Sequence, residues 1–174
     1  MIPNSFTSGA TYHHPILFLR FRLTLGIFIL GLVVSGLACF PILHEMEWLA
    51  HWLGIDGVAD RATLSGLNQW ILTVRDGLRE VYATHPWLGY GTDWMAYGHL
   101  VVALLFVGPW REPVLNAWVL RIGIIACLGI VPFALICGTI REVPFYWRLV
   151  DCAIGISGAL LLLHCQRLAN MMRL

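Results

Sequence analysis

The sequence predicts an all-α integral membrane protein: one membrane domain, residues 1–174, built as a four-helix transmembrane bundle with two amphipathic extracytoplasmic helices. Three observations predict this fold. The composition is strongly apolar, with 59% hydrophobic and 12% charged residues. Four apolar runs are long enough to cross the hydrocarbon core of a membrane as helices. The more polar segment 44–92 has apolar residues at helical spacing.

The composition also excludes several classes of protein. A soluble globular domain is about 25% charged, whereas this chain has about half that charge and a mean hydropathy of +0.75. A soluble enzyme and a disordered tail are therefore excluded. All 11 basic residues are arginine, which excludes a lysine nucleophile or base. The net charge of +1, without a basic run, indicates no nucleic-acid partner.

The first predicted span follows a short polar arm. We expect the arm over residues 1–22 and the span over residues 23–43, an apolar run that Pro41 ends. Within this run Gly31 and Ser35 are four residues apart. Two small residues at this spacing let another helix approach closely, so they are candidates for contact with a partner helix.

Segment 44–92 is predicted to be an extracytoplasmic insertion. The spacing of its apolar residues indicates one amphipathic helix over about 42–54 and a second over about 62–83. Residues 55–61, with one glycine and two aspartates, form the predicted turn between them. Because neither helix is apolar all round, we expect both to lie on the membrane surface or to cap the bundle.

Three further apolar runs complete the predicted bundle, at 94–110, 118–140 and 149–165. The first of them is short but sufficient to span the membrane. The second contains Pro132, which is expected to kink it.

The arginines predict the orientation. With four spans, six arginines fall on one side: Arg20, Arg22, Arg111, Arg121, Arg167 and Arg173. The other side has five arginines and most of the acidic residues. Short arginine-rich segments stay in the cytoplasm. We therefore expect both termini to be cytoplasmic (N-in/C-in), with the chain in a bacterial inner (plasma) membrane.

Polar side chains are predicted to converge at the extracytoplasmic face. The candidates are His99, Asp151 and Asp93 as catalytic residues, and Arg141 and Arg148 as substrate-binding residues. The second and fourth spans both run inward from this face, so His99 and Asp151 should reach similar depths. Arginine is suited to bind phosphate, and a histidine with a carboxylate is suited to acid–base chemistry. An ionisable side chain left unpaired in lipid is costly, which makes each a functional candidate.

Each of these residues also has a purely structural interpretation. Asp93 is suited to cap the helix that it opens. Asp151 could pair with Arg148, three residues earlier on the same helix face. His99 could form a hydrogen bond between helices, and Arg141 could anchor the chain at the interface.

A second group of polar residues has the spacing of metal ligands. His44, Glu47 and His51 fall on one face of the first amphipathic helix and could hold a metal. The alternative is the polar face of an interfacial helix, and we expect neither a metal nor another cofactor. A haem with two histidine ligands would need His99 together with His44, His51 or His85.

Two segments resemble a known family. Residues 148–161 (RLVDCAIGISGALL) resemble the last core helix of VanZ-like membrane proteins, in which an arginine precedes an aspartate and a glycine-rich apolar helix follows. Residues 93–99 (DWMAYGH) are similar to an earlier helix of that family, which starts with aspartate and carries a histidine. The resemblance implies a compact helical membrane fold with a polar pocket at the outer face. It also implies a role in modifying or handling lipid-linked or cell-envelope molecules.

Three functions follow as hypotheses. The first is an enzyme that acts on phospholipid or lipid-linked envelope molecules at the outer polar pocket, with membrane lipids as its partners. The alternative is a non-catalytic membrane subunit or assembly partner, which binds another protein or a second copy of itself through its small-residue helix faces. The third is an electron carrier that binds haem or a metal.

Overall fold

The computed structural model describes residues 15–58 and 60–173, which form helices joined by short loops and contain no strand. The α-helices are α1 (Pro15–Cys39), α2 (Ile42–Trp52), α3 (Gly66–Thr84), α4 (Tyr90–Leu105), α5 (Val107–Arg111), α6 (Ala117–Ile140) and α7 (Phe145–Met171). Short 3-10 helices occupy Arg61–Thr63 and Pro86–Gly89. The predicted all-helical fold is confirmed for this part of the chain.

Three of the described helices, α1, α6 and α7, are long and apolar enough to cross a membrane. The helix in the predicted second span, α4, has 16 residues, ends at Leu105 and is followed after a break at Phe106 by the short helix α5. Length and composition therefore identify three candidate spans, and the role of α4 and α5 depends on how they pack.

The first helix begins earlier than predicted. Residues 15–22 are helical, so Arg20 and Arg22 lie within α1, while residues 1–14 of the predicted arm lie outside the described residues. The early start has a physical reason. Phe21 is fully buried in the core, and the Arg22 Nε donates a hydrogen bond of 3.2 Å to the carbonyl oxygen of Trp110. The last helix likewise extends beyond the predicted span 149–165 at both ends.

Helix α1 packs antiparallel against α4 and α5. Near the carboxyl end of α1, a β-carbon added at Gly36 would lie 3.0 Å from the Cβ of His99. Further along, the rings of Phe28 and Phe106 meet edge to face with centroids 4.8 Å apart. Towards the amino end of α1, the Trp110 ring of α5 lies against Gly26. Despite the break at Phe106, α4 and α5 therefore follow α1 as one continuous segment.

Helices α6 and α7 form the second antiparallel pair, and glycines bring them close together. A β-carbon added at Gly155 would lie 2.7 Å from the carbonyl oxygen of Cys127. One added at Gly138 would lie 2.5 Å from the Cδ of Arg148. These distances are too short for a side chain, so glycine at these positions sets the separation of the two helices.

One apolar core joins the two pairs, and Phe28 and Phe106 are at its centre. A β-carbon added at Gly158 of α7 would lie 3.3 Å from the Phe28 ring, and one added at Gly123 of α6 would lie 2.7 Å from the Phe106 ring. The other buried members lie at this level or nearer the amino end of α1: Phe21, Leu25, Leu120, Ile124, Leu162, Cys165, Leu168 and Ala169. All four segments therefore meet in one half of the bundle.

The two ends of the bundle differ in charge. The arginine-rich end contains the amino end of α1, the α5–α6 loop and the carboxyl end of α7. Its charged residues are Arg20, Arg22, Arg111, Glu112, Arg121, Arg167 and Arg173. The hairpin end carries α2 and α3 and has all the remaining charged residues, five arginines and nine carboxylates. The bundle is therefore positive at one end and negative at the other.

Helices α2 and α3 form a hairpin with a small core of its own. Ala50, Ile55, Ile71 and Leu72 are its buried apolar residues. The turn between the helices includes Gly54 and Gly57, whose φ angles of +65° and +85° favour glycine. Helix α3 begins after Ser65, whose hydroxyl accepts a hydrogen bond from the amide of Asn68. Helices α2 and α3 thus lie in the segment for which the sequence predicts two amphipathic helices.

The contact at Gly36 predicts different effects for two leucine substitutions in α1. Gly36→Leu is expected to lower the free energy of unfolding by about 1–3 kcal/mol, because the side chain would force α1 away from α4. Gly31→Leu is the matched control, since nothing lies within 4 Å of a β-carbon at Gly31. Thermal unfolding in detergent measures both, and equal midpoints for the two variants would contradict the α1–α4 packing described here.

Candidate functional site

Helices α1 and α7 meet at matching positions in the half of the bundle that contains the apolar core. Positions seven residues apart on the two helices face each other in steps: Phe21 contacts Cys165, and Phe28 contacts Gly158. Because positions seven apart share one helix face, the next step would pair Ser35 with Asp151. Within the described residues no hydrogen bond forms between these two side chains, and Ser35 is exposed. The described contacts between α1 and α7 thus include Phe21 with Cys165 and Phe28 with Gly158, but no hydrogen bond between Ser35 and Asp151.

We use the name cleft for the region of α1 and α7 beyond these contacts, defined by Ser35 of α1 and by Asp151 and Arg148 of α7. The apolar core closes the cleft on the side of the arginine-rich end. At the hairpin end, α3 lies across it. The Tyr146 hydroxyl of α7 donates a hydrogen bond of 2.7 Å to the carbonyl oxygen of Gly66, at the start of α3. The cleft is thus bounded by two helix pairs, a core at one end and α3 at the other.

The opposite end of α3 contacts the start of α4. The hydroxyls of Tyr82 and Thr92 lie 3.4 Å apart, and the Tyr82 ring packs against Gly89. Gly66 and Tyr82 are separated by about 24 Å of helix at 1.5 Å per residue. Because α3 contacts α7 at one of these residues and α4 at the other, the hairpin ends of α4 and α7 stand far apart, with α1 between them.

Arg148 is positioned by α6. Its aliphatic stem lies over Gly138, one Nη donates a hydrogen bond to the Thr139 hydroxyl, and its guanidinium carbon lies 5.4 Å from the centre of the Phe145 ring. Its Nε is buried and has no hydrogen-bond acceptor in the part of the chain that the structure describes. Arg148 is therefore held in place while part of its hydrogen-bonding capacity is unused.

Asp151 lies one turn further into the bundle than Arg148. The carboxylate is half-buried and forms neither a hydrogen bond nor an ion pair with any described residue. The ion pair with Arg148 that their spacing suggested is not formed, because the arginine side chain turns towards Thr139 of α6 instead. The cleft thus has an unpaired carboxylate one turn below an incompletely bonded guanidinium.

His99 and Asp93 are on α4, on the far side of α1 from Asp151. The Nδ1 of His99 donates a hydrogen bond of 2.8 Å to the Met95 carbonyl oxygen, which leaves Nε2 as an acceptor. Asp93 is half-buried in the first turn of α4, where its charge is favourable. It is not the predicted cap, because α4 begins three residues earlier at Tyr90 and has no side-chain cap.

The structure therefore divides the sequence-predicted site. Arg148 and Asp151 share one wall of the cleft. His99 lies against Gly36 of α1, and α1 separates it from Asp151 and Arg148 of α7. Arg141 is exposed directly after α6, and Asp93 lies nearer the hairpin end of α4. No hydrogen bond or ion pair between described residues connects the α4 candidates with those of α7.

The proposed metal ligands do not form a metal site. His44, Glu47 and His51 line an open depression of about 530 Å³ on α2. Glu47 is already engaged, since it accepts hydrogen bonds of 2.6 and 3.2 Å from Arg79 of α3. Among the described residues no group of three histidine, cysteine or acidic side chains is placed to hold a metal ion.

An ion-pair network holds the hairpin together. Arg75 is the only buried charged residue in the described chain, and its Nη atoms lie 2.6 Å from Asp56 and 2.8 Å from Asp76. Arg61 also pairs with Asp76. Burial acts to raise the pKa of Asp76, but hydrogen bonds from Arg61 and Arg75, with their charges, outweigh it and lower this pKa below its usual value. The network therefore connects the α2–α3 turn to the middle of α3.

Sequence reasoning missed two residues of this region. Ser35 was noted only as a small residue, and Thr139 was not considered. The signal for Ser35 was present in the spacing, because the series 21, 28, 35 on α1 and 151, 158, 165 on α7 have matching seven-residue steps. Whether these two series of positions face each other depends on how the helices pack, and the sequence alone does not give that packing.

Comparison with models of known protein families, with curated protein sequences and with solved structures finds no match to this chain. The resemblance to VanZ-like proteins gains no support from these comparisons.

The lowered pKa of Asp76 predicts a pH dependence. A carboxyl group whose pKa is lower in the folded protein stabilises the fold above the pKa of the unfolded chain, near 4. That stabilisation is lost as the pH falls through the folded value. We expect the thermal midpoint to fall between pH 6 and pH 3.5, and to fall less in Asp76→Asn.

Glu80→Gln is the control for this prediction, because Glu80 is an exposed carboxylate on the same helix with no ion pair in the described chain. Its pH dependence should equal that of the unaltered protein. A pH dependence in Asp76→Asn as steep as in the unaltered chain would show that the network does not contribute to stability.

Proposed function

We propose that the chain spans the membrane four times, with α4 and α5 together forming the second span. The support is their packing along α1, from Gly36 at one end to Arg22 at the other. Residues 90–111 would be about 33 Å long as a helix, which is enough to cross the hydrocarbon core. Four spans place both termini at the arginine-rich end, which is the cytoplasmic side by the positive-inside rule.

Two epitope insertions test this topology. Insertion after Asp60 in the hairpin and after Leu115 in the α5–α6 loop targets two exposed positions. Four spans predict that antibody reaches the first tag in intact spheroplasts and the second only after permeabilisation. If α1, α6 and α7 were the only spans, both tags would be on the same side of the membrane, and this result would overturn the proposal.

We further propose that the protein binds the phosphate of a phospholipid or lipid-linked envelope molecule at the outer face, with Arg148 as the main ligand. The observation that carries this proposal is the buried Nε of Arg148 without an acceptor. Planar guanidinium donors match the oxygens of a phosphate group, which could accept from Nε and a neighbouring Nη together.

The surroundings of Arg148 support an anionic ligand. The side chain is preorganised by Gly138 and Thr139, so little rotamer freedom is lost when a ligand binds. Arg141, three residues before Pro144 in the same α6–α7 connection, is exposed and adds positive charge nearby. No carboxylate of the described chain neutralises Arg148. Glu142, also exposed in this connection, offsets part of the charge of Arg141, so the attraction for a phosphate rests mainly on Arg148.

The proposed function is binding of a phosphate group. No chemical step is assigned to Asp93 and His99 of α4. Catalysis by His99 and Asp151, with Asp93, remains a prediction from sequence. It would require α4 and α7 to act on one ligand from opposite sides of α1. A subunit or assembly role, and an electron-carrier role, are outcomes that the following experiment distinguishes.

Arg148→Gln tests the binding proposal. Loss of charged hydrogen bonds worth about 1.5–3 kcal/mol should weaken binding of phosphatidylglycerol at least about 10-fold. Arg148→Lys should be intermediate, because it keeps the charge but loses the planar donors. Native mass spectrometry of the chain released from detergent with titrated lipid measures the occupancy, and an absorbance spectrum of the same sample reports any haem.

Arg167→Gln is the matched control, since Arg167 is an exposed arginine at the opposite end of α7. It should leave the occupancy unchanged apart from weak, non-specific association. Equal occupancy in Arg148→Gln and the unaltered chain would refute the phosphate site. A stoichiometric second protein would favour the subunit function, and a haem band the electron carrier.

A further inference from the structure

We infer that the arginine-rich end of the bundle holds a second lipid site, at which Arg22 of α1 and Arg111 of α5 bind the phosphate of an anionic phospholipid of the inner leaflet. This site is separate from the one proposed at Arg148, which lies at the hairpin end. The two sites use different helices and different donors. Only the assignment to the inner leaflet depends on the topology proposed above.

The first observation is that Arg22 is fixed in place by only part of its guanidinium group. Its Nε donates a hydrogen bond of 3.2 Å to the carbonyl oxygen of Trp110. The guanidinium carbon lies 4.3 Å from the centre of the Phe18 ring and 5.9 Å from that of the Trp110 ring. The two Nη atoms have no hydrogen-bond or ion-pair partner among the described residues. A planar cation that is already positioned, with Nη groups still available, is suited to bind a phosphate.

The second observation is the position of Arg111 next to this group. The carbonyl group that accepts from Arg22 belongs to the peptide that joins Trp110 to Arg111. The backbone of Arg111 therefore begins directly beside the Arg22 guanidinium. The Arg111 side chain is exposed and forms no ion pair with a described residue. Two positive side chains thus start from one corner of the bundle, where one phosphate can accept hydrogen bonds from both.

The third observation is that no carboxylate neutralises this corner. Glu112 is the one acidic side chain at the arginine-rich end, against six arginines, and within the described chain it forms an ion pair with none of them. Residues 1–14, which precede α1, contain no aspartate or glutamate. A surface with this excess of positive charge attracts anionic lipids in preference to zwitterionic ones.

The depth of the corner favours a lipid over a soluble acidic partner. Helix α1 is a candidate membrane span, and Arg22 lies seven residues after its start at Pro15, which is about 10 Å along the helix. Trp110 packs on α1 at Gly26, one turn further in. Tryptophan and arginine at the end of a span are typical of the headgroup level. An acidic protein would have to reach this depth beside the helices, whereas a lipid phosphate is already there.

Titration with phosphatidylglycerol tests this inference, with native mass spectrometry of the chain released from detergent as the readout. All variants are made in the Arg148→Gln background, so that a lipid at the hairpin end does not contribute. Arg111→Gln should weaken the remaining binding about fivefold, as expected for one basic residue near a lipid headgroup. Arg22→Gln should weaken it about 10-fold, because charged hydrogen bonds are lost as well. Phosphatidylcholine should bind more weakly than phosphatidylglycerol.

Arg20→Gln is the matched control. Arg20 is an exposed arginine at the same end of α1, but it lies about 200° around the helix from Arg22. The variant removes the same charge without altering the corner, so the binding of phosphatidylglycerol should stay unchanged. An equal loss in Arg20→Gln and Arg22→Gln would show that only the net charge matters, and it would overturn the site.

The thermal midpoint of each variant separates binding from folding, because Arg22→Gln also removes the hydrogen bond to Trp110. If Arg22→Gln lowers the midpoint, Arg111→Gln decides alone, since its exposed side chain makes no hydrogen bond within the described chain. Unchanged binding in Arg111→Gln, or equal binding of the two lipids, would overturn the inference and leave the Arg148 site untouched. Conversely, if Arg148→Gln has no effect but Arg111→Gln does, the site at Arg22 and Arg111 stands and the outer site falls.

Discussion

Two contacts between a phenylalanine ring and a glycine, one made by Phe28 and the other by Phe106, hold the two helix pairs together. Each ring lies on a glycine of the opposite pair, Phe28 on Gly158 and Phe106 on Gly123. Each of these ring–glycine contacts therefore requires a large apolar side chain on one helix pair and a glycine, which has no side chain, on the other. Since both contacts occur at one level, the helices are close there. The break between α4 and α5 at Phe106 also occurs at this level.

The consequence is a bundle with two different halves. One half has the apolar core, and the other half has the residues for which chemistry was suspected. Within it the polar side chains of the cleft are incompletely satisfied, which is costly in a low-dielectric environment unless a ligand completes their hydrogen bonds. In the hairpin, by contrast, the charged side chains are satisfied, because each of its three arginines is paired with a carboxylate.

The candidate site shows where reasoning from the sequence succeeds and where it stops. Arg148 and Asp151 are three residues apart on one helix, so local geometry was enough to place them on one face. His99 and Asp151 were expected at similar depths, and this expectation stays a prediction. The positions of His99 and Asp151 around the bundle could not be predicted in the same way. It depends on the order in which four helices pack, and here α1 lies between α4 and α7.

The sequence by itself determined the helical class, three candidate spans and the two helices of the hairpin, because hydrophobic periodicity and small-residue spacing are local properties. It also determined the asymmetry of charge between the ends. Tertiary structure alone decided that α1 is central, that α4 and α5 continue as one segment, and that the predicted site divides into two parts. Those features depend on which faces meet, and glycines such as Gly36, Gly123 and Gly158 select the faces by allowing approach that a single β-carbon would prevent.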